Sequence, residues 1–482
     1  MSVIWEHFML RPTLMAAALA AALPALSANA CADTDLDALR AELKQMKGSY
    51  EARIQALETR LQAAEAQASQ AVHTADKAAQ AAEQAETQAK NASAQAAPAE
   101  SPAPASLLSQ FNPEISLILQ GQYANLNGDI TDRNITGFLS PGQFEASSGF
   151  SIAETELVLS ASVDPYFRGY LNAAIDPDGG VGVEEAWAET TALGHGFTIK
   201  AGRFLSALGY QNAVHPHAWD FATNNLMYDA AFGGAYTQNG AQVKWVAPTD
   251  LFIEVGAEFG NGDSFPSTTS SGLGDYALFS HIGGDVGVSN SWTAGLSYLY
   301  GKAQDRESGM DDLNDVWAET YFNGNSKNWI ANFVWKWAPQ GNPTERYFKF
   351  AAEYFWRNEQ GTLLCADNTA EGGVCDGTDS AYTSSQSGGY LQGVYQFMPH
   401  WRVGYRYDRL NDGDYNFGAN DAFLPVYAYA PTANTAMLDY SPSEFSRLRL
   451  QYTQNRSMFG ISENQFFVQY IMSLGAHGAH KY

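Results

Sequence analysis

Beyond residue 30 the sequence contains no run of about 18 apolar residues, so no membrane-spanning helix is expected there. Positive charge is scarce: 27 Lys+Arg stand against 52 Asp+Glu, a formal charge of −25. Nucleic acid, whose phosphates need clustered cations, is therefore not an expected partner. Cysteine is nearly absent, with 3 residues in 482. Catalytic patterns are missing as well. There is no His-Glu-x-x-His metalloprotease motif, and no histidine has Asp three residues before it. Gly262-Asp263-Ser264-Phe265 has the look of an esterase nucleophile block, but it falls in a polar connection without that partner. The expectation is a chain that is not an enzyme and needs no cofactor.

What is present is aromatic and glycine-rich: 25 Tyr, 26 Phe, 11 Trp and 43 Gly, with negative mean hydropathy. That balance suits a β-barrel in a membrane, where only alternate residues meet lipid. Residues 1–32 read as a signal peptide, with Arg11 ahead of an apolar stretch Leu14–Leu26 and small residues before Ala30 and Ala32. Cleavage after Ala30 would leave Cys31 first, but Ala28 and Asn29 depart from the usual lipoprotein pattern, which has Leu three residues before the cysteine. Cys365 and Cys375 lie in a polar stretch and are expected to form a disulfide in an oxidising compartment.

From Leu36 the apolar residues step by three and four, through Leu39, Leu43, Met46, Tyr50, Ile54, Leu57 and Leu61, then as alanines from Ala64 to Ala92. Residues 33–92 are expected to form a self-associating coiled coil, its helix over 36–92 a rod of roughly 85 Å at 1.5 Å per residue. Residues 93–112, rich in Ala, Pro and Ser, read as a linker.

After Asn112 the period becomes two. Sixteen strands are expected, near 113–126, 149–163, 166–176, 181–192, 196–205, 238–247, 251–260, 276–289, 291–303, 328–338, 345–357, 388–398, 400–410, 434–441, 445–455 and 464–475. Short connections follow even-numbered strands and mostly long ones follow odd-numbered strands, as in an outer-membrane barrel with periplasmic termini. The expected fold is thus an all-β transmembrane barrel of about 16 antiparallel strands over 113–482, preceded by an α-helical coiled coil.

Phe111-Asn112-Pro113, Ala201-Gly202-Arg203-Phe204 and Ser443-Glu444-Phe445-Ser446-Arg447-Leu448-Arg449-Leu450 carry a resemblance. With the coil before them, they resemble outer-membrane porins that have an N-terminal periplasmic coiled coil, of the phosphate-selective and dicarboxylate type. The resemblance implies a homotrimer in the outer membrane that passes small hydrophilic solutes by passive diffusion. It also implies a constricting loop after strand five, which here is 206–237. The tail Gly475-Ala476-His477-Gly478-Ala479-His480-Lys481-Tyr482 resembles that of outer-membrane proteins linked to zinc uptake. Two alternatives stay open: a zinc- or metal-linked receptor or channel, and a barrel whose coil tethers the membrane to the cell wall.

On the strand face opposite the apolar one, Glu154, Glu156, Glu185, Glu189, Glu254 and Glu258 form one arc. Lys336, Lys349, Arg357, Arg402, Arg406, Arg447 and Arg449 form another. These are the expected pore-lining residues, producing either a transverse field in the channel or a network of ion pairs that stiffens the wall. His215 and His217, in the loop after strand five, are candidate metal ligands.

Overall fold

The computed structural model describes residues 114–127, 134–140, 148–175, 179–269 and 272–475. The signal peptide, the coiled coil, the linker and the histidines of the tail lie outside the described residues. The described strands form one sheet. Two of them, Gly149–Ser151 and Asp414–Asn416, are three-residue stubs. The other sixteen make a closed antiparallel barrel.

In chain order they are β1 Glu114–Leu126, β2 Thr155–Ser162, β3 Phe167–Ile175, β4 Val181–Thr190, β5 Phe197–Leu205, β6 Thr237–Val246, β7 Phe252–Gly260 and β8 Asp275–Val286. They continue as β9 Asn290–Asp311, β10 Trp317–Trp337, β11 Tyr347–Cys365, β12 Asp379–Met398, β13 Trp401–Leu410, β14 Thr432–Ser443, β15 Ser446–Arg456 and β16 Glu463–Gly475. Closure is made by β1, which pairs with β16 from Ser116↔Gly475 to Leu126↔Gln465 and with β2 from Glu114↔Ser160 to Ile118↔Glu156. No edge is left unpaired between first and last strand, as a membrane requires.

Alternation sets the two faces. On β10, Trp329, Phe333 and Trp335 are exposed while Ser326, Asn328, Ile330, Asn332 and Val334 are buried between them. On β15, Leu448, Leu450 and Tyr452 point out while Arg447, Arg449, Gln451 and Thr453 are buried. Such an apolar outer surface is unfavourable in water but suits lipid.

Three local features differ from the sequence reading. The connections expected at 304–327 and 358–387 are mostly strand, because β9 and β10 run on to a turn after Asp311, and β11 and β12 to one after Cys365. These four strands have 22, 21, 19 and 20 residues, against about 9–11 needed to cross a bilayer. Beyond the lipid the outer face turns polar, so the apolar alternation stops while the main-chain pairing continues. The second strand is interrupted: Ala153 has φ 46°, which separates the stub Gly149–Ser151 from Thr155 and leaves Glu154 just before β2.

Candidate functional site

The chain between β5 and β6 folds into the barrel. Its only α-helix among the described residues, α1 Leu226–Phe232, is capped by the side chain of Asn225, which accepts from the Tyr228 N–H at 3.0 Å. The helix ends at Gly233 in the left-handed conformation, φ 65°, which glycine adopts without steric cost. Leu208, Leu226, Met227, Tyr228, Phe232 and Tyr236 bury their side chains against wall residues Ala277, Leu299, Ile330, Phe355, Tyr390 and Leu410. One side of the lumen is therefore filled by an apolar core.

Polar bonds fix the same segment around the wall. Glu353 of β11 accepts from the Tyr210 N–H at 2.7 Å, the Gln211 N–H at 3.0 Å, the Tyr228 hydroxyl at 3.1 Å and the Tyr390 hydroxyl at 2.7 Å. Glu258 of β7 accepts from the Ser206 hydroxyl at 2.5 Å and the Ala207 N–H at 2.9 Å. Asp220 receives Lys349 at 2.7 Å and Arg402 at 3.3 Å. Burial alone would raise the Asp220 carboxyl, but the charges of Lys349 and Arg402 outweigh it and hold the group well below its ordinary value of 3.8. The Trp219 carbonyl accepts from Arg447 at 2.9 Å and Arg449 at 2.8 Å. Arg406 donates to the carbonyls of Thr223 at 2.8 Å and Asn224 at 2.6 Å. Arg357 donates to that of Ala230 at 2.9 Å.

The structure thus places Arg357, Arg402, Arg406, Arg447 and Arg449 on the inner face, where they are 0–6% exposed. Their partners include carboxylates, loop carbonyls and wall side chains such as Gln386 and Tyr347: Asp439 bonds Arg402 and Arg449, and Asp408 bonds Arg406. These groups attach the loop to the wall. Glu189, Glu254 and Lys336 keep partial exposure toward the interior, and Glu254 lies 3.5 Å from Lys244 and 3.2 Å from His281.

His215 and His217 meet the other arc. His215 Nε2 lies 2.8 Å from Glu185, and its Nδ1 lies 3.2 Å from Glu184 and 3.7 Å from Glu156. Burial alone would keep this imidazole neutral, but hydrogen bonds to Glu184 and Glu185 outweigh it and raise its pKa well above 6.5. His217 Nδ1 lies 2.5 Å from the other oxygen of Glu156. Glu184 was not among the sequence candidates. It stands out of the inward alternation at the register shift between Asn172 and Ala173 in the β3–β4 pairing, which period two alone does not reveal.

Cys365 and Cys375 are joined by a disulfide at the C-terminal end of β11, with Cα atoms 5.6 Å apart. Gly262–Phe265 lies in the connection after β7.

The fold and its filling define a transmembrane β-barrel with an inward-folded loop. No known family model matches the sequence. The chain belongs to the same family as an uncharacterised protein of Aquifex aeolicus (strain VF5). The two are 31% identical over 401 residues, which cover 77% of this chain and 80% of that one. Among solved structures it is similar to the outer-membrane channel DcaP of Acinetobacter baumannii, with 15% identity, a TM-score of 0.46, and 76% and 98% of the two chains covered. It is also similar to OprB of Pseudomonas putida, with 13% identity, a TM-score of 0.44 and coverage of 76% and 95%. A third is an anion-selective porin from Comamonas acidovorans, with 11% identity, a TM-score of 0.43 and coverage of 76% and 100%.

Proposed function

We propose that this protein is an outer-membrane channel through which small hydrophilic solutes diffuse passively. The observation that carries the reading is a closed, lipid-faced barrel whose lumen is narrowed by residues 206–236. A barrel needed only as a wall anchor has no use for an internal segment bonded to strands on opposite sides. In this reading the arginine arc holds the constriction, and the half-exposed Glu189, Glu254, Lys244 and Lys336 face the solute path. The barrel assembles as a homotrimer with its coil in the periplasm. Planar-bilayer recording of the purified full chain tests this: stepwise conductance with measurable ion selectivity supports the channel, and a folded protein that never conducts refutes it.

A further inference from the structure

Charge is matched closely where the arginines anchor the loop, but not where the loop meets β2 and β4. Glu154, Glu156, Glu184 and Glu185 converge there on His215 and His217.

We propose that Glu156, Glu184 and His215 bind a divalent transition metal, with Zn²⁺ the fitting ion, which ties the constriction loop to the wall. One donor atom from each lies within 4.8 Å of the other two. The separations from His215 Nδ1, 3.2 Å to Glu184 and 3.7 Å to Glu156, bracket the edge of a tetrahedron with donors about 2.0–2.1 Å from zinc, roughly 3.4 Å. An imidazole with two carboxylates is a donor set suited to zinc.

The surroundings orient these donors. Glu185, 2.8 Å from His215 Nε2, holds that nitrogen as the donor side and leaves Nδ1 for a metal. Carboxylates placed behind a ligating imidazole act in this way. His217 holds the outer oxygen of Glu156, so its Oε2 is the one turned to the centre.

Asn172 gives an independent sign. Its side chain is wholly buried, and its Nδ2 sits among the three ligands, 2.7 Å from Glu156, 3.0 Å from Glu184 and 3.2 Å from His215. The Oδ1 on the other side of the amide has no hydrogen-bond partner. Turning the amide over would bring that oxygen to the centre as a fourth donor without moving the backbone. A buried Glu154 oxygen is likewise unpartnered at the edge of the cluster.

The site stands on its own residues, and only an effect on conduction rests on the channel reading, so the test needs no bilayer. The full chain, with His477→Ala and His480→Ala to silence the tail, is stripped with chelator and titrated with Zn²⁺ by calorimetry in detergent. One ion per chain is expected. Glu184→Gln and His215→Ala should each weaken binding at least tenfold, and Glu185→Gln about 10–100-fold. Heat-modifiable gel migration checks that each variant is folded. If the variants fail to fold, an anomalous zinc peak at Glu156, Glu184 and His215 in crystals of the parent decides the matter. No binding by the parent, equal binding by the folded variants, or zinc found elsewhere would overturn the proposal.

Discussion

Arg402 shows how the lumen charges work. It reaches Asp220 on the loop and Asp439 on the neighbouring strand, and all three are buried. Removing one member of a buried ion cluster leaves the others uncompensated and costs up to about 3–5 kcal/mol. Arg402→Ala should lower the thermal midpoint of the barrel and make residues 206–236 sensitive to added protease, while Tyr405→Ala on the lipid face should do neither. Limited proteolysis of the two variants checks this. Asp220 gives a pH signature. Its folded pKa is depressed, so its contribution is complete above about 3.8 and is lost as pH falls through the lower folded value. The stability difference between wild type and Asp220→Asn should therefore stay constant from neutral pH to about pH 4 and shrink in stronger acid. Acid-dependent unfolding followed by tryptophan fluorescence measures it. The sequence placed these arginines on the inner face because Arg402 and Arg406, or Arg447 and Arg449, keep the same parity. It did not show their partners, although Asp408 and Asp439 share the inward parity on their own strands. Asp220 could not be found that way, since it lies on a loop with no period.

One backbone position in the loop between β5 and β6 leaves no room for a side chain. Gly209 has φ 65°, and a Cβ there would stand 2.3 Å from a Glu353 oxygen and 2.6 Å from the Tyr228 hydroxyl. The left-handed conformation alone costs a non-glycine residue about 1–2 kcal/mol, and the clash would break the four-donor cluster on Glu353. Gly209→Ala should release the loop and raise single-channel conductance without loss of the barrel, as circular dichroism would verify. The location of this loop was legible from its length after the fifth strand, but its inward path was known only from the family resemblance. The reach of β9–β12 was not legible, because the strand signal was the apolar lipid face and these strands continue past it. The Gly149–Phe150–Ser151 stub was hidden for a different reason: a positive φ at Ala153 leaves no compositional trace.

At the scale of the molecule, strand count and the alternation of turns were readable because a closed barrel imposes them on every hairpin. Closure of β1 between β2 and β16 could only be expected. The disulfide Cys365–Cys375 sits where β11 and β12 turn outside the lipid. In intact cells, protease should cut near it and spare the Pro339–Thr344 turn, as mapped by mass spectrometry of released peptides. The central claim is a conducting barrel narrowed by residues 206–236, and planar-bilayer recording of wild type beside Gly209→Ala tests it most directly. The account predicts discrete steps for wild type and larger steps for the variant. Folded wild type that gives no steps, or a folded variant with unchanged steps, would contradict it.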